Sequence, residues 1–209
     1  MRILFFTLSL LVSVILNAQN HILVEIEEAN AQYKTIEGMF VRTQINAAKG
    51  ISVKSEGELY IADDAQMAQY YKAPSTDLLI INGHDFYMVR GKKKNKFNTK
   101  KNKTMLGLRN VLLYCVYGKP AVLATENRAE ITAEKKEKGY EVVLTSTKKA
   151  PRGYAKIVLT YDLKSKLLTR MQMDEYNGNS TLYEMSDMKI NTSMDTKVFK
   201  IPDKVSKNK

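Results

Sequence analysis

From about residue 39 to residue 190, with one interruption, the apolar residues of this chain recur at every second position. Met39, Val41, Thr43 and Ile45 alternate with Phe40, Arg42, Gln44 and Asn46. Ile51, Val53, Ser55, Gly57, Leu59 and Ile61 then alternate with Ser52, Lys54, Glu56, Glu58, Tyr60 and Ala62. A period of two places successive side chains on opposite faces of a strand. Further strands are expected over 67–72, 78–81 and 86–90, and, after the interruption, over 130–135, 140–147, 155–163, 167–176 and 181–190. The links carry turn chemistry: Asp63-Asp64, Pro74-Ser75, Asn82-Gly83, Lys138-Gly139 and Asn177-Gly178-Asn179. The expectation is about nine to eleven neighbouring antiparallel strands, each with one dry face. Such a curved sheet has to be covered.

Two segments with helical spacing are available as the cover. Ile22, Ile26, Ala29, Tyr33 and Ile36 recur every three or four residues, with Glu25, Glu27, Glu28 and Lys34 between them and Gly38 as the stop. The second segment spans 104–117 and is closed by Gly118 and Pro120. Its apolar residues, among them Met105, Leu108, Val111, Leu112, Cys115 and Val116, cover well over half the helical circumference, with Arg109 in their midst. A helix so apolar is either sandwiched or lies over an apolar hollow. Patterning alone leaves a filled core and a hollow equally open. The ten methionines in a chain without tryptophan suit either, because a thioether side chain adapts to irregular apolar shapes.

The first eighteen residues read as a secretory leader. Arg2 precedes an apolar run from Ile3 to Leu16, and Asn17-Ala18 offers a cleavage site after Ala18. The run is too short for a bilayer span, which needs about 20 apolar residues. Residues 1–18 are therefore assigned to a signal peptide and 19–209 to a single exported domain with a core of ordinary size. The lone cysteine, Cys115, has no partner for an internal disulfide and is expected to be a buried small hydrophobe. Catalytic signatures are missing. His21 and His84 have no metal-pairing neighbours, Cys115 has no evident base, and there is no nucleophile elbow or phosphate-cradling glycine loop. No catalytic residue, metal or cofactor is expected.

One set of residues resembles a known family. Glu56-Gly57-Glu58-Leu59-Tyr60-Ile61, followed by Pro74-Ser75-Thr76-Asp77-Leu78-Leu79-Ile80-Ile81-Asn82-Gly83-His84-Asp85-Phe86-Tyr87, looks like the outer-membrane lipoprotein carrier (LolA-like) family. In that family a G-x-L-aromatic strand leads through a proline to a hydrophobic strand ending in Asp/Asn-Gly. The leader, the first helix, Phe40 and Gln44 in the first strand, the mid-chain helix and the closing Phe199-Lys200-Ile201-Pro202 follow the same order. The resemblance implies an α+β fold, an incomplete, unclosed antiparallel β-barrel with helices over its concave apolar face. It also implies a non-catalytic periplasmic carrier. Such a carrier shelters lipoprotein acyl chains, receives them from an inner-membrane release complex and hands them to an outer-membrane acceptor. The family's Arg-Pro after the G-x-L-aromatic strand, whose arginine helps to hold the lid, is replaced here by Asp63-Asp64, so that latch is not carried over.

On this reading the hollow is lined by Leu59, Ile61, Met67, Phe86, Met88, Ile157, Leu159, Met171 and Met173 from one strand face, with Met105, Leu108 and Leu112 above them. Arg109 either pairs with Asp63 as a reversed-charge latch or reaches solvent. The interruption itself, residues 92–103, carries Lys92, Lys93, Lys94, Lys96, Lys100, Lys101 and Lys103. It is either a solvated loop or a contact for anionic lipid or an acidic partner, in a chain of net charge +11. Nucleic acid is not expected, since the chain is exported and Phe97 is the run's one aromatic. No heptad pattern argues for assembly, so a monomer is expected. A free-lipid-binding or lipoprotein-stress-sensing module of the same shape is the alternative.

Overall fold

In the computed structural model of the protein, residues 20–62, 65–147 and 153–201 are described. The expected leader, Asp63-Asp64 and Pro202 lie outside them. Eleven strands form one sheet: β1 (Thr35–Asn46), β2 (Ile51–Ala62), β3 (Gln66–Tyr71), β4 (Leu78–Asn82), β5 (Asp85–Arg90), β6 (Lys93–Asn98), β7 (Ala129–Lys136), β8 (Gly139–Ser146), β9 (Tyr154–Tyr161), β10 (Leu168–Glu175) and β11 (Ser180–Ile190). Their order is β6-β5-β4-β3-β2-β1-β11-β10-β9-β8-β7, and every neighbouring pair is antiparallel. The sheet is two meanders joined where β1 meets β11. It does not close, since β6 and β7 are left as edges.

Those two edges are consecutive strands in the sequence, and the segment between them is helical. It contains α2 (Lys103–Val116) and α3 (Pro120–Asn127); α1 comprises residues 20–31. The helical spacing of the first segment runs on to Ile36, but the helix stops at 31 and Ile36 is a buried residue of β1. The β-branched pair Thr35-Ile36 fits a strand better than a fourth helical turn. Pro120, expected only as a stop, also starts α3. A proline at the first helical position loses no helical hydrogen bond and has its φ already set.

The lysine-rich interruption holds the other unexpected element. Lys93–Asn98 is the edge strand β6, paired with β5 along its whole length. Lysines along an edge are a common means of keeping a bare row of backbone groups from pairing with another chain. Sequence periodicity misses this strand because only Phe97 is apolar, and it packs against the core cluster.

Gly57 of the G-x-L-aromatic segment has a steric reason. A Cβ there would collide with the Tyr70 carbonyl oxygen and the Phe40 ring. The concave face carries the main core, from Ile26 and Phe40 to Leu159, Tyr161 and Met171. On the opposite face Phe199, at the end of a 3-10 turn, packs with Ala68, Ile80 and Tyr87 in a second, smaller cluster. α1 is docked by buried polar contacts. Asn30 Nδ2 donates to the Lys166 carbonyl at 2.8 Å, and Gly118 approaches the Ile26 carbonyl and Asn30 so closely that a Cβ would clash with both. Lys166 Nζ lies 2.7 Å from Glu25 and 4.4 Å from the centre of the Tyr140 ring. Hydrogen bonding to Lys166 holds the Glu25 carboxyl below its ordinary value. Burial pushes the Lys166 ammonium down, but Glu25 and Tyr140 together outweigh it and leave it raised.

Candidate functional site

α2 is pinned to both halves of the sheet. Tyr117 Oη donates to the Gln66 carbonyl at 3.1 Å, and Arg109 Nε donates to the Gly83 carbonyl at 2.7 Å, both in the first meander. In the second, Tyr161 Oη donates to the Cys115 carbonyl at 2.8 Å. The C-terminal half of the helix is packed solid, with Leu112 and Leu113 at 1% exposure and Cys115 at 0%. Burial pushes the Cys115 thiol up, which leaves it an inert apolar filler. The N-terminal half is different. Met105, Leu106 and Leu108 are only half-buried, and there the helix stands off the sheet.

Two chambers lie in the space so formed. The larger is about 620 Å³ and sits between α2, α3 and β7–β10. Its buried lining residues, Val111, Leu123, Leu144 and Ile157, are all apolar, whereas Lys103, Thr104, Asn127, Lys156 and Asn177 around it are exposed and polar. That is an apolar floor with a wet mouth, of a size common for ligand pockets, about 300–1,000 Å³. The smaller chamber, about 240 Å³, lies on the other side of Leu108 among Arg42, Gln44, Tyr71, Met88, Arg90, Leu112, Met173 and Tyr183. Leu108, Tyr154 and Glu175 border both. Burial pushes the Tyr71 and Tyr154 hydroxyls up, so both stay protonated, and Tyr71 Oη donates to Gln69 Oε1 at 3.2 Å.

The residues expected to line a hollow all fall on the concave side, in two groups. Met105, Leu108 and Ile157 border the larger chamber; Met88, Leu108, Leu112 and Met173 border the smaller. Leu59, Ile61, Met67, Phe86, Leu159 and Met171 border neither and belong to the packed core. Register explains the division. Leu144, Ile157, Met173 and Thr181 are cross-strand neighbours in one row from β8 to β11, and this row faces the chambers. Val142, Leu159, Met171 and Tyr183 form the next row on the same face, two residues along each strand, and its first three members are packed solid.

Arg109 reaches the Gly83 carbonyl and Asn110 rather than open solvent; its suggested partner Asp63 lies outside the described residues. Lys93, Lys94 and Lys96 project from β6, while Lys103 stands at the mouth of the larger chamber. Two features escaped the sequence reading. The polar lining, Arg42 above all, shares a strand face with Phe40 and Gln44, and that alternation was the available signal. The contribution of α3, through Leu123 and Asn127, was hidden behind Pro120. Among the described residues no cluster of His, Cys, Asp or Glu could hold a metal ion, and no helix is long and apolar enough to cross a membrane.

A family model described as outer membrane lipoprotein carrier protein LolA matches residues 31–202. No curated protein matches the chain. Among solved structures, an uncharacterized conserved protein from Thermus thermophilus aligns with a TM-score of 0.52 at 10% identity, over 88% of this chain and 94% of that one. MucB aligns with a TM-score of 0.51 at 14% identity, over 90% of this chain and 64% of its own. A putative outer membrane lipoprotein-sorting protein domain from Vibrio parahaemolyticus aligns at 0.47 and 14% identity, over 85% and 94%. At such identities the structural likeness speaks for the fold alone.

Proposed function

This chain belongs to the outer membrane lipoprotein carrier protein LolA family, and we propose from that premise that it carries acylated lipoproteins across the periplasm. The acyl chains would lie in the larger chamber, against Met105, Leu108 and Ile157, under the raised N-terminal half of α2. The carrying observation is the 620 Å³ space with an apolar floor that the protein's own side chains leave unfilled. Each methylene taken from water into such a space contributes about 0.8 kcal/mol, and this attraction has no directional requirement. A hollow of this kind suits cargo with a shared lipid anchor and differing protein parts. On this reading the protein is a binder, as its family membership supports.

The lysines fit a working place at membrane surfaces. Lys103 and Lys156 stand at the chamber mouth, and Lys93, Lys94, Lys96, Lys100 and Lys101 are exposed on and after the edge strand β6. Near an anionic surface each contributes about 1 kcal/mol, an attraction that salt weakens. In this reading the leader at 1–18 directs export. An inner-membrane complex then loads the carrier, and an outer-membrane acceptor unloads it.

The test is release of cargo. Membranes bearing a triacylated lipoprotein are incubated with the purified protein, and the soluble fraction is assayed for a complex of the two. Appearance of that complex is the expected result. Lipid in the chamber by mass spectrometry, with no lipoprotein released, would replace the reading with a free-lipid carrier of the same shape. Neither lipid nor lipoprotein bound would end it.

A further inference from the structure

Among the described residues, a buried arginine in the smaller chamber makes no ion pair. Arg42 lies in the middle of β1, on the concave face with Phe40, and is 7% exposed. One terminal nitrogen donates a long hydrogen bond of 3.4 Å to Ser55 Oγ, and the guanidinium carbon lies 4.4 Å from the centre of the Tyr71 ring. Nε has no hydrogen-bond partner. Among the described residues no carboxylate comes within ion-pair distance of Arg42. The chamber does have two carboxylates, and each accepts a hydrogen bond from a residue other than Arg42. Asp77 Oδ1 accepts from the Gly91 N–H at 3.0 Å, and Glu175 Oε2 accepts from Asn177 Nδ2 at 3.0 Å. Arg90 lines the same space.

A guanidinium keeps its charge inside a protein. Buried without an anion, it is a net cost to the fold, and its planar fork matches a carboxylate or a phosphate in two parallel hydrogen bonds. The neighbouring groups are suited to the same guest. Gln44 and the protonated hydroxyl of Tyr154 are donors on the chamber wall. Leu108, Tyr154 and Glu175 are walls common to both chambers, and a single ligand with its tail in one and its head in the other has to pass them.

We propose that Arg42 receives the anionic head, a carboxylate or phosphate, of an acyl lipid whose chain occupies the larger chamber. The assignment rests on the reading above only in placing an acyl chain in the larger chamber; the triacylated anchor of a lipoprotein has no carboxylate or phosphate, so the guest that Arg42 selects is a free anionic acyl lipid.

The experiment compares a conjugated fluorescent fatty acid with its methyl ester, each titrated into the purified protein at pH 8. The two probes share a tail and differ in head charge. The wild-type protein is expected to bind the acid at least about tenfold more tightly, the effect of a charge-assisted hydrogen bond. Arg42→Met keeps the stem over Tyr71 and is expected to bring the two affinities within about twofold, with ester binding unchanged. A purely structural role for Arg42 would weaken both probes together, and that result overturns the assignment. Equal wild-type affinities also overturn it, whether or not Arg42→Met folds, and leave the acyl-carrier reading standing. Failure of both probes to bind overturns the assignment, and the release of lipoprotein from membranes then decides the carrier reading by itself. Inorganic phosphate displacing the acid at equal concentration would identify a site for a free anion and overturn the lipid-head assignment. Displacement by phosphatidic acid, and not by diacylglycerol, would extend it to phosphate heads.

Discussion

The two halves of α2 differ in what lies beneath them. From Leu113 to Val116 the helix is a plug, with Leu113, Cys115 and Val116 sunk into the concave face. From Lys103 to Leu108 the same helix is a lid, half-buried and raised over a chamber. The lid half carries Lys103, Thr104 and Gly107 beside Met105, Leu106 and Leu108, so composition separates the halves only in part. The difference comes from what the sheet offers below. Packed rows such as Val142-Leu159-Met171 leave no space, whereas the row of Leu144, Ile157 and Met173 leaves a gap. One helix thus fastens the structure at one end and covers a chamber at the other.

Four variants test that division, beginning with the plug. Leu113→Ala removes a 1% exposed side chain that borders neither chamber. It is expected to cost about 2–5 kcal/mol, read as a drop in denaturant midpoint, with acyl-probe affinity per folded molecule unchanged. Leu108→Ala, in the lid, is expected to cost stability only about 1 kcal/mol while weakening an acyl probe by roughly fivefold or more, since the lost contacts are those to the guest. If both variants lose stability equally and binding not at all, the helix is a plug along its whole length.

The α1 clasp gives a smaller effect with a defined pH window. Glu25 is held below its ordinary value, so its contribution is present above pH 4.5 and is lost as pH falls through the depressed value. Lys166 is raised, so its contribution is present below pH 10.5 and is lost as pH rises through the raised value. Glu25 is 36% exposed, and solvent screening keeps the clasp below about 1 kcal/mol. Glu25→Gln is expected to lower stability slightly and uniformly between those limits and to flatten the acid side of the stability profile. An acid limb as steep as the wild type's would locate the sensitivity elsewhere. The smallest effect on stability is that of Lys93, Lys94 and Lys96 changed together to Gln, within about 0.5 kcal/mol. The same variant is expected to lose affinity for anionic vesicles at low salt, measured by co-sedimentation. Unchanged co-sedimentation would leave β6 as a protected edge and nothing more.

Much of this architecture is legible in the residues, and the parts that are not share a physical cause. The alternation of Leu59 with Tyr60, or Ile157 with Val158, identifies faces because pleating is local. The Asn82-Gly83 pair marks its hairpin for the same reason. Which row along a face meets empty space is not local. It depends on how far α2 and α3 descend, and so Leu159 and Ile157, two residues apart and equally apolar, have different neighbours. Arg42 was visible as a charged residue between Phe40 and Gln44, but alternation does not say which side of β1 is dry. β6 and α3 were hidden because their composition, lysine in one and an opening proline in the other, matches that of loops.

The lid's connections limit how this protein can open. α2 and α3 are the only chain between β6 and β7, so the cover is stitched at both ends to opposite margins of the same sheet. A flap hinged at one end could swing clear and leave the bowl unaltered. This one pulls on both borders as it rises, so the height of the cover and the width of the seam change as a single coordinate. Anything that grips β6 or β7 from outside therefore also has hold of the cover.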